Sequence, residues 1–258
     1  MQIISLRELF SRRETADRAE RLLQELYPIY VECFPDENER VAIDVLRDSL
    51  QPDDYLSDIL LALVDDRVIG ARHYQVLDDT TVILQGGRVA AGEYIYVTPD
   101  ARGGGYGTQL YEAANQRLKN SGISFIVTEV NDPHLMTQEA HDMDREAGLS
   151  SEERVAFWKR RGVRALDVLY IQPALAEGLE PVEHLMMGIR ATDLASAPLT
   201  EMPRDVYVAI CRAYHGSWLE DVEANRSFQQ LCQATEQSAV IPVIDLDAER
   251  RCVRERTI

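Results

Sequence analysis

Apolar positions in this chain change period repeatedly, and each change marks an element. Residues 2–6 form a short apolar run that predicts a strand. From Glu14 to Cys33 the apolar residues Ala19, Leu22, Leu23 and Leu26 fall at helical spacing, and Pro28 is expected to bend or break that helix. Phe34-Pro35-Asp36 predicts a turn. Asn38 to Leu50 predicts a second helix with Val41, Val45 and Leu46 on one face, closed by Gln51-Pro52-Asp53-Asp54. Ile59–Val64 and Val68–Leu77, joined by Asp65-Asp66-Arg67, predict a strand, a tight turn and a strand. A bend at Gly86-Gly87 precedes a further strand ending at Val97.

The pattern then returns to 3.6. Leu110, Ala114 and Leu118 make one stripe of a helix that should stop at Gly122. Ser124–Val130 predicts a strand with Phe125, Val127 and Glu129 on one face. Asn131 to Ser150 shows no clean period and predicts a long loop. Ser150 and Glu153 are spaced as a capping box for a helix through Arg161, ended by Gly162. Val163–Tyr170 and His184–Arg190 predict two more strands. Beyond Ala191 the expected elements are a helix from Pro203 to Tyr214, a helix from about Leu219 to Glu236, a strand at Val240–Leu246 and a basic end at Arg250–Arg256. There is no internal repeat. Antiparallel strand runs mixed with helices predict an α+β fold, with a mostly antiparallel central sheet flanked by helices. Residues 1–191 are expected to form the main domain, and residues 192–258 a C-terminal helical extension packed on it.

The most informative stretch is Tyr94 to Thr108, where an apolar strand runs through Pro99-Asp100 into Arg102-Gly103-Gly104-Gly105-Tyr106-Gly107-Thr108 and directly into a helix. Such a loop offers backbone N–H groups, with little side-chain bulk, at a helix N-terminus, and that is a diphosphate cradle. A Walker loop would need a Gly-Lys-Ser/Thr end, which is missing here. A dinucleotide fold has an acid at a spacing that Glu129 meets, but it also requires alternating strands and helices from the start. The run of antiparallel strands argues against that.

Composition narrows the partners. The 258 residues carry a net charge of −17, which repels nucleic acid in the absence of a local basic patch and attracts cationic amines. Only Lys119 and Lys159 are lysines, against 25 arginines, a bias attributable to genome composition. Four separated cysteines without a Cys-x-x-Cys pair, and an N-terminus without the apolar core of a signal peptide, predict a reduced, cytoplasmic setting. The longest strongly apolar run, Ile59–Val64, is too short to span a membrane. His134, His141, Asp142, Asp144 and Glu146 crowd one segment without a recognised metal-ligand spacing, so they are read as a solvated acidic loop and no metal is expected.

A second motif, Phe157-Trp158-Lys159-Arg160-Arg161-Gly162-Val163, follows one strand after the glycine helix. Together with Val97-Thr98-Pro99, Arg102 to Gly107 and Glu129-Val130, it resembles the GCN5-related N-acetyltransferase (GNAT) superfamily over roughly residues 1–191. The resemblance implies acetyl-CoA or another acyl-CoA as cosubstrate. Its diphosphate would lie on the amides of Arg102, Gly103, Gly104, Gly105, Tyr106, Gly107 and Thr108, and its pantetheine arm along Ile95, Tyr96 and Val97, with Trp158 nearby. A backbone N–H of that strand would hold the oxyanion. Glu129 is the implied general base, since a protonated amine is no nucleophile. Many members carry a tyrosine acid where this chain has Trp158, and an indole N–H is not a practical acid. Tyr170 and Tyr96 are candidate replacements. The acceptor-site walls are expected in Tyr27–Asp36 and in the 131–150 loop. The implied reaction is direct acyl transfer, most simply of acetyl, to the primary amine of a small molecule or peptide. A second copy of the chain is an optional partner. The alternative is a catalytically silent CoA-binding sensor or scaffold.

Overall fold

The computed structural model describes residues 1–51, 57–77 and 82–251. The turn expected at 51–54 falls largely outside the described residues, as do Cys252 and the basic end beyond Arg251. One sheet organises the chain. Its strands are β1 (Gln2–Ser5), β2 (Ser57–Val64), β3 (Arg67–Leu77), β4 (Ile83–Leu84), β5 (Gly87–Val97), β6 (Ile123–Asn131), β7 (Arg164–Leu166), β8 (Leu185–Ala191), β9 (Glu201–Pro203) and β10 (Val240–Ile244). The order is β1-β2-β3-β5-β6-β8-β7-β10-β9, with β4 beside β5. All pairings are antiparallel except β5 with β6. The α+β expectation holds.

The helices are α1 (Leu6–Phe10), α2 (Ala16–Cys33), α3 (Ile43–Asp48), α4 (Tyr106–Asn120), α5 (Gln138–Glu146), α6 (Ser151–Lys159), α7 (Arg204–His215) and α8 (Arg226–Thr235). Strand alternation sorts them between two faces. Leu60, Ala62, Ala90 and Ile126 pack with Leu110, Ala114 and Leu118 of α4. Leu61, Leu63, Ala71 and Tyr96 pack with α1–α3, and Val89, Ala91, Phe125 and Val127 pack with α7 and α8.

Several expectations are corrected. α2 runs unbroken through Pro28. The lost N–H bond is outweighed by the stripe of Ala19, Leu22, Leu23, Leu26, Tyr30 and Cys33 buried on the sheet. The helix expected at 38–50 is a 3-10 turn at Glu37–Glu39 followed by the short α3. The segment 131–150 contains α5, capped by the Thr137 side chain. Its buried positions are Ala140 and Asp144, so no apolar stripe advertises it. The strand expected at 163–170 ends at Leu166. The second tail helix begins only at Arg226, where the Asn225 side chain caps it.

The tail also supplies strands. β10 pairs with β7 through Val243 and Leu166, so residues after 191 continue the same sheet. Arg250 is fully buried, not solvated. Its guanidinium donates to Asp132 Oδ2 at 2.8 Å, Val168 O at 2.9 Å and Leu185 O at 3.3 Å, fastening the chain end beneath β6 and β8.

Candidate active site

The site begins with a pairing that stops early. β5 and β6 are in parallel register only from Arg88/Ile123 to Ala91/Val127. Opposite His73 of β3, β5 carries two residues, Glu93 and Tyr94, between the Gly92 and Ile95 pairings. This bulge kinks β5 away from its neighbour. Thr128 Oγ1 donates to Gly92 O at 2.6 Å and closes the apex of the splay. Gly92 also makes room for Arg72, because a Cβ there would lie 1.9 Å from the guanidinium. Beyond the apex, Gly92–Val97 presents an edge with no strand on its β6 side.

A cavity of about 400 Å³ fills this splay. Of the 13 residues predicted for the site, 11 line it. The exceptions are Gly104, whose Cα faces the Tyr106 ring, and Tyr170. At one end stands the N-terminus of α4. Gly103 and Gly105 have φ of 78° and 76°, a left-handed conformation strained for other residues. No side chain caps α4, so its first-turn N–H groups lack internal acceptors and face the cavity. Arg102 does not reach into open space. It folds back to donate to Val97 O at 3.4 Å and Ala147 O at 2.8 Å, tying the loop to the α5–α6 connection. Arg161 donates to Thr108 Oγ1 at 2.6 Å and stacks 3.4 Å over the Phe157 ring.

At the other end of the cavity lies Glu129. Phe125, Val127 and Glu129 do share a strand face, and that face looks toward α7. Tyr170 donates to Glu129 Oε1 at 2.5 Å and Tyr214 to Oε2 at 2.9 Å. Burial raises the Glu129 pKa to about 7, while the two tyrosine hydrogen bonds pull it back down. Both phenols are pushed well above their ordinary pKa, chiefly by burial and then by the Glu129 charge, so they remain donors. Tyr170 spends its proton on Glu129, so it accepts at its oxygen from His215 Nε2 at 3.2 Å. Burial lowers the His215 pKa to about 3, which keeps that ring neutral.

Tyr170 is fully buried and lines neither the first cavity nor the one described next. Tyr96 is held by its hydroxyl against His73 Nε2 at 2.9 Å, facing the α2 side. Trp158 lines the first cavity in van der Waals company with Tyr111 and Phe157, and its ring lies 5.2 Å from the Arg72 guanidinium.

A second cavity of about 450 Å³ opens on the other side of Glu129. Glu93 and Glu129 line both cavities. The walls of the second come from α3, Ser57 and Gln75 at the β2–β3 pair, Tyr94, Gln172, Leu175, and Tyr214, Ser217 and Trp218 of the tail. Neither Tyr27–Asp36 nor the 131–150 segment lines it. Cys33, Phe34, Asn131 and Leu149 from those segments line the first cavity instead. The sequence reading missed Glu93, Tyr214 and Trp218. Tyr214 sits one helical turn from buried Ile210 and Cys211 and carries no local mark of a polar role.

Among the described residues, no group of three or more His, Cys, Asp or Glu is arranged to hold a metal ion, and no helix is long and apolar enough to cross a membrane. The acetyltransferase (GNAT) family model matches residues 22–142. No curated protein sequence matches significantly. Among solved structures, an acetyltransferase assigned to the GNAT family from Bacteroides thetaiotaomicron aligns with a TM-score of 0.51 at 20% identity, over 74% of this chain and 88% of that one. An aminoglycoside 6'-N-acetyltransferase complexed with coenzyme A aligns with a TM-score of 0.49 at 15% identity, over 77% of this chain and all of that one. The splayed mixed sheet, with the glycine loop at the head of α4, has the fold of the GNAT acetyltransferase structure it aligns with, and residues 22–142 match the acetyltransferase (GNAT) family model.

Proposed function

We propose that this chain transfers an acyl group, most simply acetyl, from acyl-CoA to a primary amine in a ternary complex. The observation that carries the reading is the place of Glu129: a carboxylate with a pKa of about 7, pinned by two phenols, at the junction of two cavities. The first cavity suits the thioester. Backbone N–H groups at the head of α4 would receive the diphosphate, with the dipole of a 15-residue helix behind them. The free edge of β5 at Ile95–Val97 would pair with the amide-bearing arm. Thr108 also lines a neighbouring depression whose lining includes Arg160, Arg161 and Arg190 beside Glu112 and a Lys119–Asp193 pair, a net positive spot on an acidic protein where the nucleotide end would emerge.

The amine enters from the second cavity. Glu129 as carboxylate takes a proton from the ammonium, and the freed lone pair attacks the thioester carbonyl carbon. The carbon–sulfur bond then breaks with its electron pair left on sulfur, and the nitrogen's remaining excess proton passes to that thiolate or to water, which leaves a neutral amide. A thiol pKa near 8.5 makes that thiolate a tolerable leaving group without an acid at Trp158. Tyr170 and Tyr214 are positioning residues that hold both carboxylate oxygens, so Tyr170 acts through Glu129 rather than as the acid. A base with a pKa near the working pH suits turnover better than a silent binding module. The test is free-thiol release from acetyl-CoA with an amine panel. Amine-dependent release from the native chain, reduced in Glu129→Gln at neutral pH, supports the reading. Thermal stabilisation by acetyl-CoA with no release from any amine refutes it.

A further inference from the structure

The depression beside the first cavity is walled by α4, by the residues that end α6 and by β8, and Thr108 lines both. Three of its side chains hold a polar atom that is buried without a hydrogen-bond partner: Tyr111 Oη, Arg161 Nε and Arg190 Nη1. Tyr111 itself is only 7% exposed. All three atoms carry a hydrogen to donate, and a guanidinium has no capacity to accept. A buried donor left unpaired costs free energy that an acceptor supplied by a ligand would recover.

Charge sharpens the demand. The guanidinium carbons of Arg161 and Arg190 lie 5.2 and 5.5 Å from the centre of the one Tyr111 ring. Attraction to the ring holds each of them there, and their mutual repulsion is left unanswered. The acceptors that Arg161 has are neutral: Phe157 O at 2.9 Å and Thr108 Oγ1 at 2.6 Å. The carboxylates in the lining serve elsewhere. Asp193 takes Lys119 Nζ at 2.8 Å and is influenced less by Arg190 than by that lysine, and Glu112 is exposed to solvent. Arg160 adds a further guanidinium at the rim. Burial first, and then the Arg160 charge, hold the Arg161 pKa below the ordinary guanidinium value against the opposing pull of Tyr111 and Glu112.

A neutral acceptor would satisfy these donors and leave the cations crowded. An oxyanion does both, and a phosphate monoester matches the count: three terminal oxygens for three side chains, and up to two charges for two guanidiniums. Continuity gives its source. Thr108 lies in the first turn of α4, where the diphosphate would sit, and its hydroxyl is the Arg161 acceptor. A CoA thioester carries one phosphate monoester, on the 3′ carbon of the ribose next to the diphosphate. The geometry points to this depression as the seat of that 3′-phosphate, held by Arg161, Arg190 and Tyr111, so that the chain selects CoA thioesters over their dephospho forms. The assignment rests on the acyl-CoA reading of the adjoining cavity.

Calorimetry with CoA and 3′-dephospho-CoA tests it. The native chain should bind CoA about tenfold or more tightly, as expected for added charged hydrogen bonds, and the preference should shrink as salt rises. Arg190→Gln and, separately, Tyr111→Phe should each cost CoA more affinity than dephospho-CoA, with the larger loss in Arg190→Gln, and circular dichroism should show both variants folded. Equal affinity of the native chain for the two nucleotides overturns the assignment, as does a full preference surviving in both variants. Inorganic phosphate that binds and leaves CoA affinity unchanged would give the depression to a free anion and overturn it likewise. Binding of neither nucleotide removes the acyl-CoA reading and this assignment together, whereas equal binding of both removes only the assignment.

Discussion

The two cavities that meet at Glu129 are built in opposite ways. The first centres on one stretch of chain, the β5 edge at 93–97 and the 101–108 loop that leads into α4, to which Cys33, Phe34, the end of β6, Leu149 and α6 add their side chains. The second is gathered from seven separate stretches, at residues 41–49, 57, 75, 93–94, 129, 172–175 and 214–218, with no such central run. A surface made of main-chain groups tolerates side-chain drift and suits a constant ligand. A surface made of scattered side chains is free to change and suits a variable one. The difference predicts which substitutions should be drastic and which graded.

The sharpest way to break the contrast is Gly105→Glu. It forces a non-glycine residue into a left-handed conformation and sets a carboxylate at the uncapped head of α4. Acyl-CoA binding should fall below detection by calorimetry in a chain that still folds, and normal affinity would show that the loop does not hold the diphosphate. Glu129→Gln comes next. Loss of general-base action lowers kcat/KM at neutral pH by about 10²–10⁴-fold, with the deficit narrowing at high pH where the free amine is abundant. An unchanged pH profile would remove Glu129 from its assigned role.

Arg250→Ala tests whether the tail and the rest of the sheet are one unit. It strands Asp132, 2% exposed, without its cation. Breaking a buried pair in this way costs about 3–5 kcal/mol, read as a fall in melting temperature. A change within error would mean the tail is only laid on the core. The finest test is Tyr214→Phe. The Tyr214 hydrogen bond lowers the Glu129 pKa, so its removal raises it, and the acidic limb of the kcat/KM profile should move upward from about pH 7. A merely structural role for Tyr214 would change the plateau and leave the limb where it was.

Glu129 also ties activity to stability. Its folded pKa of about 7 lies above the ordinary carboxyl value of about 4.5, so the native state binds its proton more tightly than the unfolded chain. Its favourable contribution is therefore complete below about pH 4.5 and lost as pH rises through about 7. The ionised form that the proposed base role requires is the form the fold disfavours.

Legibility in the sequence followed the same divide. The glycine loop was readable because its requirement is local: left-handed backbone at Gly103 and Gly105 and the absence of bulk leave a mark in consecutive letters. Glu129 was readable because a carboxylate ends an apolar alternation. Tyr214 was not readable, since its partner lies 85 positions away and its own helix presents it among core residues. Nor was α5, whose buried face is an alanine and an aspartate that pairs with Arg154 at 3.2 Å. Pro28 misled in the other direction, because a local penalty was overridden by tertiary burial. Glu93 remained hidden because a bulge, not an alternation, sets its direction.

The insertion of β10 beside β7, with Arg250 locked under Asp132, has a consequence for biosynthesis. A ribosome would have finished the Gly103–Thr108 loop long before it reached residue 214, so a nascent or prematurely terminated chain would carry that loop without the phenol that pins Glu129. The carboxylate and both of its phenol partners therefore come together only after the chain has been made past residue 214, an order set by connectivity alone.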